Sequence, residues 1–193
     1  MNYLALGDSY TIGTSVRPED SFPLTLRDLL HNGGTGTGDV KIVAKRGWTT
    51  QNLIDHLPMD ETQYDLVTLL IGVNDLYDGL PFDTYKSGVI ELLDRALNYA
   101  GGDTGSVRVL SIPDYTFTPF GQDNEMDVSS SIDQYNAEAK RQCDKRGVTF
   151  LDITDISRRG IKESDLVADD GLHLSARAYR MMAERLFASV RKI

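Results

Sequence analysis

Tyr3-Leu4-Ala5-Leu6-Gly7-Asp8-Ser9-Tyr10 begins as an apolar run and stops on a glycine, an acid and a hydroxyl. Such a short, continuous apolar segment closed by turn residues is the pattern of a strand buried on both faces, as in a parallel sheet. Four further runs of this type follow, at Val40 to Ala44, Leu66 to Ile71, Val107 to Ile112 and Thr149 to Ile153. Helical periodicity fills the intervals. Phe22, Leu26, Leu29 and Leu30 repeat at helical spacing, as do Tyr85, Val89, Leu92, Leu93 and Ala96, and then Ile132, Tyr135 and Ala139. Near the C-terminus Tyr179, Met182, Ala183, Leu186, Phe187 and Val190 share one helix face, with Ser175 as its N-cap. Strands alternating with helices require a parallel sheet covered on both sides and joined by right-handed crossovers. The prediction is one domain over residues 1–193: a three-layer α/β/α, flavodoxin-like doubly wound sheet of five parallel strands in the order 2-1-3-4-5.

Composition narrows the function. With 193 residues, 40% of them hydrophobic, the chain can bury a substantial core. A net charge of −9 leaves no basic footprint for phosphates or anionic membranes, so no nucleic-acid partner is expected. No run is long enough to span a bilayer, and no basic segment with a cleavable apolar stretch precedes the first strand, so no integral membrane contact and a cytoplasmic location are expected. Cys143 is the only cysteine and shares a helical face with Ile132, Tyr135 and Ala139, which makes it a small buried side chain. The glycine-rich stretch Gly33 to Gly38 follows a helix and has neither the dinucleotide nor the P-loop spacing, so it is a connection. Oligomeric state is not written in the sequence.

In a sheet of order 2-1-3-4-5 the crevice opens beyond the carboxyl ends of strands 1 and 3. The loops after strands 1, 2 and 3 carry Ser9, Gly47 and Asn74. A serine hydroxyl needs a base within hydrogen-bond reach and a third group to orient that base. His173 is preceded three residues earlier by Asp170, in a loop before the last helix, and a single turn can present both. Ser9 would attack, His173 would carry the proton and Asp170 would orient the imidazole. The backbone N–H groups of Ser9 and Gly47 and the side-chain amide of Asn74 would meet the oxyanion. Each segment alone also has a structural explanation: a helix cap at Ser9, a positive φ at Gly47, an ordinary loop pair at Asn74-Asp75 and a structural Asp-His pair.

Taken together, these segments resemble the four blocks of the SGNH hydrolases, the GDSL esterase and lipase family, over nearly the whole chain. Gly7-Asp8-Ser9-Tyr10 resembles the first block, Gly47 in Arg46-Gly47-Trp48 the second, Gly72-Val73-Asn74-Asp75 the third and Asp170-Gly171-Leu172-His173 the last. The resemblance implies a serine hydrolase acting on acyl esters, with Ser9, Asp170 and His173 as its triad and Ser9, Gly47 and Asn74 as its oxyanion donors. It also implies no metal and no cofactor. Tyr10 stands where the family name has leucine, which bears on subfamily rather than chemistry. No Gly-x-Ser-x-Gly elbow is present, which argues against the α/β-hydrolase fold.

Asp8 is expected to cap the turn after strand 1, and Asp75 to brace the Asn74 loop. The segment Pro113 to Ser131 is the expected lip of the crevice, and Trp48, Tyr115, Phe117 and Phe120 are the pocket candidates. With Leu76 to Thr84, the lip should select the ester. Lysophospholipids, acetylated sugars, acyl thioesters and simple carboxylic esters all fit the chemistry, with a lysophospholipase or short-chain acylesterase as the expected type. Activity should rise as His173 loses its proton. Two other readings remain at this point: a phosphate- or flavin-binding module using the hydroxyl-rich loop Ser9, Thr11, Gly13, Thr14 and Ser15, and a catalytically silent relative that binds an ester or glycan.

Overall fold

In the computed structural model, which describes residues 1–59 and 62–190, five strands form one sheet in the order β2-β1-β3-β4-β5. Chain order is β1 (Tyr3–Gly7), α1 (Ser9–Ile12), α2 (Phe22–Asn32), β2 (Val40–Ala44), α3 (Thr50–Asp55), β3 (Leu66–Leu70), α4 (Val73–Tyr77), α5 (Phe82–Tyr99), β4 (Val107–Leu110), α6 (Pro119–Asp123), α7 (Ser129–Arg146), β5 (Thr149–Leu151), α8 (Thr154–Ser157) and α9 (Ala176–Val190). Every pairing is parallel. The expected α/β/α architecture and strand order are therefore those observed.

Why both layers form is visible in β1. Side chains alternate across a strand. Tyr3 and Ala5 join Phe22, Leu26 and Leu30 of α2 and Met182 and Leu186 of α9, while Leu4 and Leu6 join Leu53 of α3 and Leu92, Leu93 and Ala96 of α5. Helix α2 packs on α9 in one layer, and α3, α5 and α7 lie side by side in the other. Fully burying a leucine contributes about 1.5–3 kcal/mol, so a strand buried on both faces anchors both layers at once. The α7 stripe continues to Cys143, which is fully buried, and burial pushes its thiol up to about 12. No described helix is long and apolar enough to cross a membrane.

Three strands end earlier than their apolar runs, β3 by one residue and β4 and β5 by two. Beyond β4 the backbone N–H and carbonyl of Ile112 bond the side chain of Asn136 on α7, at 2.8 and 3.1 Å. Beyond β5 the Ile153 N–H donates to Ser111 Oγ at 2.8 Å. Side chains thus replace the ladder where the strands splay into the crevice. Strand β1 runs one residue further than its apolar segment, to Gly7. A Cβ there would lie 2.1 Å from Thr11 Oγ1 and 2.3 Å from the Leu70 carbonyl oxygen, so only glycine lets β1, β3 and α1 approach this closely. Gly7 pairs with Ala44 and Leu70, which sets the loops after β1, β2 and β3 side by side.

Candidate active site

The turn that carries Ser9 is built by Asp8. Its Oδ1 accepts the Tyr10 N–H at 2.9 Å and caps α1, as expected for that residue. Ser9 is then the first residue of α1, so its own backbone N–H has no partner within the helix. The other Asp8 oxygen is buried and finds no hydrogen-bond partner. Burial pushes the Asp8 carboxyl up to about 7; the Tyr10 N–H opposes this and the nearby Asp75 carboxyl adds to it.

The loop before α9 is closed on itself. Val167 and Leu174 form an antiparallel bridge, the Ala168 N–H donates to the His173 carbonyl at 2.8 Å, and the Gly171 N–H donates to the Ala168 carbonyl at 2.9 Å. Asp170 Oδ1 accepts the backbone N–H groups of Leu172 at 3.0 Å and His173 at 2.9 Å. Asp170 Oδ2 lies 2.5 Å from His173 Nδ1, and His173 Nε2 lies 3.0 Å from Ser9 Oγ. Ser9 and His173 are 4% and 3% exposed, so this contact is shielded from bulk water. The Tyr10 ring packs on the imidazole with centroids 5.3 Å apart. Partial burial alone would raise the Asp170 carboxyl, but hydrogen bonds from Ser15, the His173 ring and the two N–H groups hold it well below the usual carboxylate range. An ionised Asp170 accepts Nδ1–H, which leaves Nε2 free to accept the Ser9 proton.

On the opposite side of the nucleophile, Gly47 adopts φ +81° with open space around its Cβ position, so the constraint at Gly47 is conformational rather than steric. Asn74 Nδ2 donates to the Trp48 carbonyl at 2.8 Å, which fixes the amide beside Gly47 and leaves its second N–H for another acceptor. Asp75 is fully buried and accepts the Thr50 N–H at 2.9 Å and the Thr50 hydroxyl at 2.6 Å. Burial raises its carboxyl, against the Thr50 bonds. It therefore clamps the start of α4 to the start of α3, bracing Asn74 against the segment that carries Gly47.

A cavity of about 290 Å³ opens over these residues. Ser9, Gly47, Asn74 and His173 line it, and Tyr115 and Phe120 supply apolar wall. The lip is more ordered than a loop: it holds a 3₁₀ turn at Tyr115–Phe117 and helix α6, and the Phe120 N–H donates to the Gly171 carbonyl at 2.9 Å. Two pocket candidates are corrected. Trp48 turns away and stacks near His56, with ring centroids 4.7 Å apart, against the core cluster of α3 and α5. Phe117 sits two residues after Tyr115 in a three-residue turn, so its side chain points elsewhere, and its backbone lies over Gly160. In the hydroxyl-rich loop of the binding-module reading, Thr11 is buried in α1 and Ser15 donates to Asp170 at 2.6 Å, so neither hydroxyl is presented to a phosphate.

Arg46, Tyr77 and Asp78 also line the cavity, the last two within the Leu76 to Thr84 segment expected to help select the ester. Tyr77 and Asp78 lie three and four residues after Asn74, the spacing that brings side chains onto one helix face. A helix starting at Gly72 is the signal that finds them. Tyr77 packs edge-on to Tyr115 and tilted against Phe120, with centroids 6.2 and 6.4 Å apart. Among the described residues no cluster of His, Cys, Asp and Glu has the arrangement to hold a metal ion.

The family model for GDSL-like lipases and acylhydrolases matches residues 5–181. The chain belongs to the GDSL-like lipase/acylhydrolase family. It is accordingly a serine-type hydrolase of carboxylic esters. Among solved structures it is similar to the psychrotrophic esterase EstA from Pseudoalteromonas sp., with 15% identity and a TM-score of 0.75 over 99% of this chain and 97% of that one. TesA matches with 16% identity and a TM-score of 0.78 over 100% of this chain and 99% of that one. Axe2, an acetylxylan esterase from Geobacillus stearothermophilus, matches with 20% identity and a TM-score of 0.73 over 98% and 93%. At these identities the likeness is one of fold. No curated protein sequence matches the chain significantly.

Proposed function

We propose that Ser9, His173 and Asp170 are the catalytic triad of an esterase acting on short to medium acyl esters. The observation that carries this reading is the continuous chain from Ser9 Oγ through His173 to Asp170, with contacts of 3.0 and 2.5 Å. Ser9 Oγ attacks the ester carbonyl carbon while His173 Nε2 takes its proton. The oxyanion meets the backbone N–H groups of Ser9 and Gly47 and the free N–H of the Asn74 amide; loss of one such donor typically costs about 10²- to 10³-fold in rate. Collapse expels the alcohol with the proton held on Nε2 and leaves an acyl group on Ser9. Water then attacks that acyl group, again giving its proton to His173, which returns it to Ser9 Oγ as the acid departs. The aromatic wall of Tyr77, Tyr115 and Phe120 favours an apolar acyl chain or a flat leaving group, and a cavity of about 290 Å³ suits a small one.

Hydrolysis of p-nitrophenyl esters of increasing chain length by wild type and Ser9→Ala tests the reading. Wild type should turn over and Ser9→Ala should fall to background while keeping its melting temperature. Near wild-type turnover by Ser9→Ala would sink the mechanism.

A further inference from the structure

We infer that Ser15 is a positioning residue of the acid–base pair: its hydroxyl holds the Asp170 carboxylate in register with the imidazole of His173. The inference rests on the triad reading above. Ser15 Oγ donates to Asp170 Oδ2 at 2.6 Å, and that oxygen is the one facing His173 Nδ1. The other bonds to Asp170 come from Leu172 and His173, on its own loop. Ser15 lies 155 residues away in sequence, six residues after the nucleophile. Its bond therefore ties the acid to the nucleophile's own segment.

The backbone at Ser15 argues the same way. Ser15 has φ +69°, the left-handed region that glycine occupies at little cost and other residues rarely adopt. Gly13, two residues earlier, has φ +75° and is a glycine. Serine thus stands where the backbone favours glycine, and the feature it adds over glycine is a hydroxyl that donates to Asp170. Strain that persists beside a reacting group points to a role for the side chain that carries it.

With the hydroxyl removed, Oδ2 would bond His173 alone, and its charge would hold the protonated imidazole more tightly. The carboxylate would also be freer to rotate. Tyr10 packs on the imidazole and, like Tyr179 of α9, lies within electrostatic reach of Asp170, while Arg46, Tyr77, Asp78 and Tyr115 share the cavity wall with His173. Asp165 and Asp169 line the hollow beside Ser15. Among the described residues none of these groups donates a hydrogen bond to Asp170, so none takes over the role of Ser15.

The test compares wild type, Ser9→Ala, Ser15→Gly and Ser15→Thr by kcat/KM for p-nitrophenyl acetate across pH 5 to 9, with thermal unfolding of each. Glycine relieves the backbone and removes the hydroxyl, so Ser15→Gly should melt at or above wild type. It should nonetheless lose roughly five- to tenfold in kcat/KM, a solvent-exposed share of a charge-assisted bond, with its acid limb moved to higher pH. Threonine keeps the hydroxyl but adds a branched Cβ in the left-handed region, so Ser15→Thr should melt lower and keep the wild-type limb. A wild-type rate and limb in Ser15→Gly would overturn the inference, and so would a limb shifted equally in both variants. Persistent turnover by Ser9→Ala would instead mark the triad reading as the failure.

Discussion

Replacing Asp8 by asparagine should stabilise the protein above neutral pH, and the gain should shrink as the pH falls. Asp8 is fully buried, one of its oxygens caps α1, and the other has no partner. Its carboxyl titrates near 3.8 in an unperturbed setting and is pushed up to about 7 in the folded protein, chiefly by burial. Between these values the folded state binds the proton and the unfolded chain does not, so stability falls as pH rises through that window. Below about pH 4 both states are protonated and the penalty vanishes; above about 7 it is complete. At ~1.4 kcal/mol per pH unit, the interval between these two values sets a ceiling of about 4 kcal/mol. Relaxation and water penetration reduce this to about 2 kcal/mol, since effective interior dielectrics exceed those of a dry core. Asparagine keeps an oxygen for the Tyr10 N–H and has no proton to lose. For a chain of this length, each kcal/mol moves the melting temperature by about 2–4 °C, and roughly two-thirds of the titration window lies above pH 5, so Asp8→Asn should gain about 2–5 °C relative to wild type between pH 5 and pH 9. Thermal unfolding in matched buffers across that range measures it. A difference between the two proteins that does not change with pH would refute the reasoning, as would an Asp8→Asn protein that loses ground at high pH.

Two further predictions concern the walls of the site. Thr50→Val removes the 2.6 Å hydroxyl bond to the buried Asp75 carboxyl and leaves only the backbone N–H to satisfy it. It should cost about 1.5–3 kcal/mol in a denaturant titration and lower kcat more than it raises KM, because the clamp between Asn74 and Gly47 loosens; unchanged kcat with the expected loss of stability would separate the clamp from catalysis. Phe120→Ala keeps the backbone bond to Gly171 but removes one aromatic wall of the cavity. Chain-length profiles should shift toward longer acyl groups with little change on acetate, and an unaltered profile would place acyl selection elsewhere.

The fold was legible because parallel strands buried on both faces leave long apolar runs, and β1, β3 and β4 are buried along their whole length. Strand ends were less legible: Asn136 and Ser111 end β4 and β5 through side-chain bonds that no local pattern announces. Ser9, Gly47, Asn74, Asp170 and His173 were legible because each sits where a strand or the last helix dictates a turn. Trp48 and Phe117 were misassigned because aromatic character says nothing of which way a turn points its side chain. Ser15 was noticed only as a hydroxyl in a loop. Its partner lies 155 residues along the chain, and a pairing of that range becomes visible only in three dimensions.

The contact between Ser9 and His173 joins residues 164 positions apart. In the triad proposed above, Ser9 precedes four of the five strands while His173 follows the fifth, and α9 must dock against α2 to hold that base in place. On that proposal, a nascent or prematurely terminated chain that lacks α9 can complete most of the sheet and still hydrolyse nothing. Because long-range closure of this kind comes late in folding, catalytic competence in this enzyme doubles as a certificate that translation has passed its last strand.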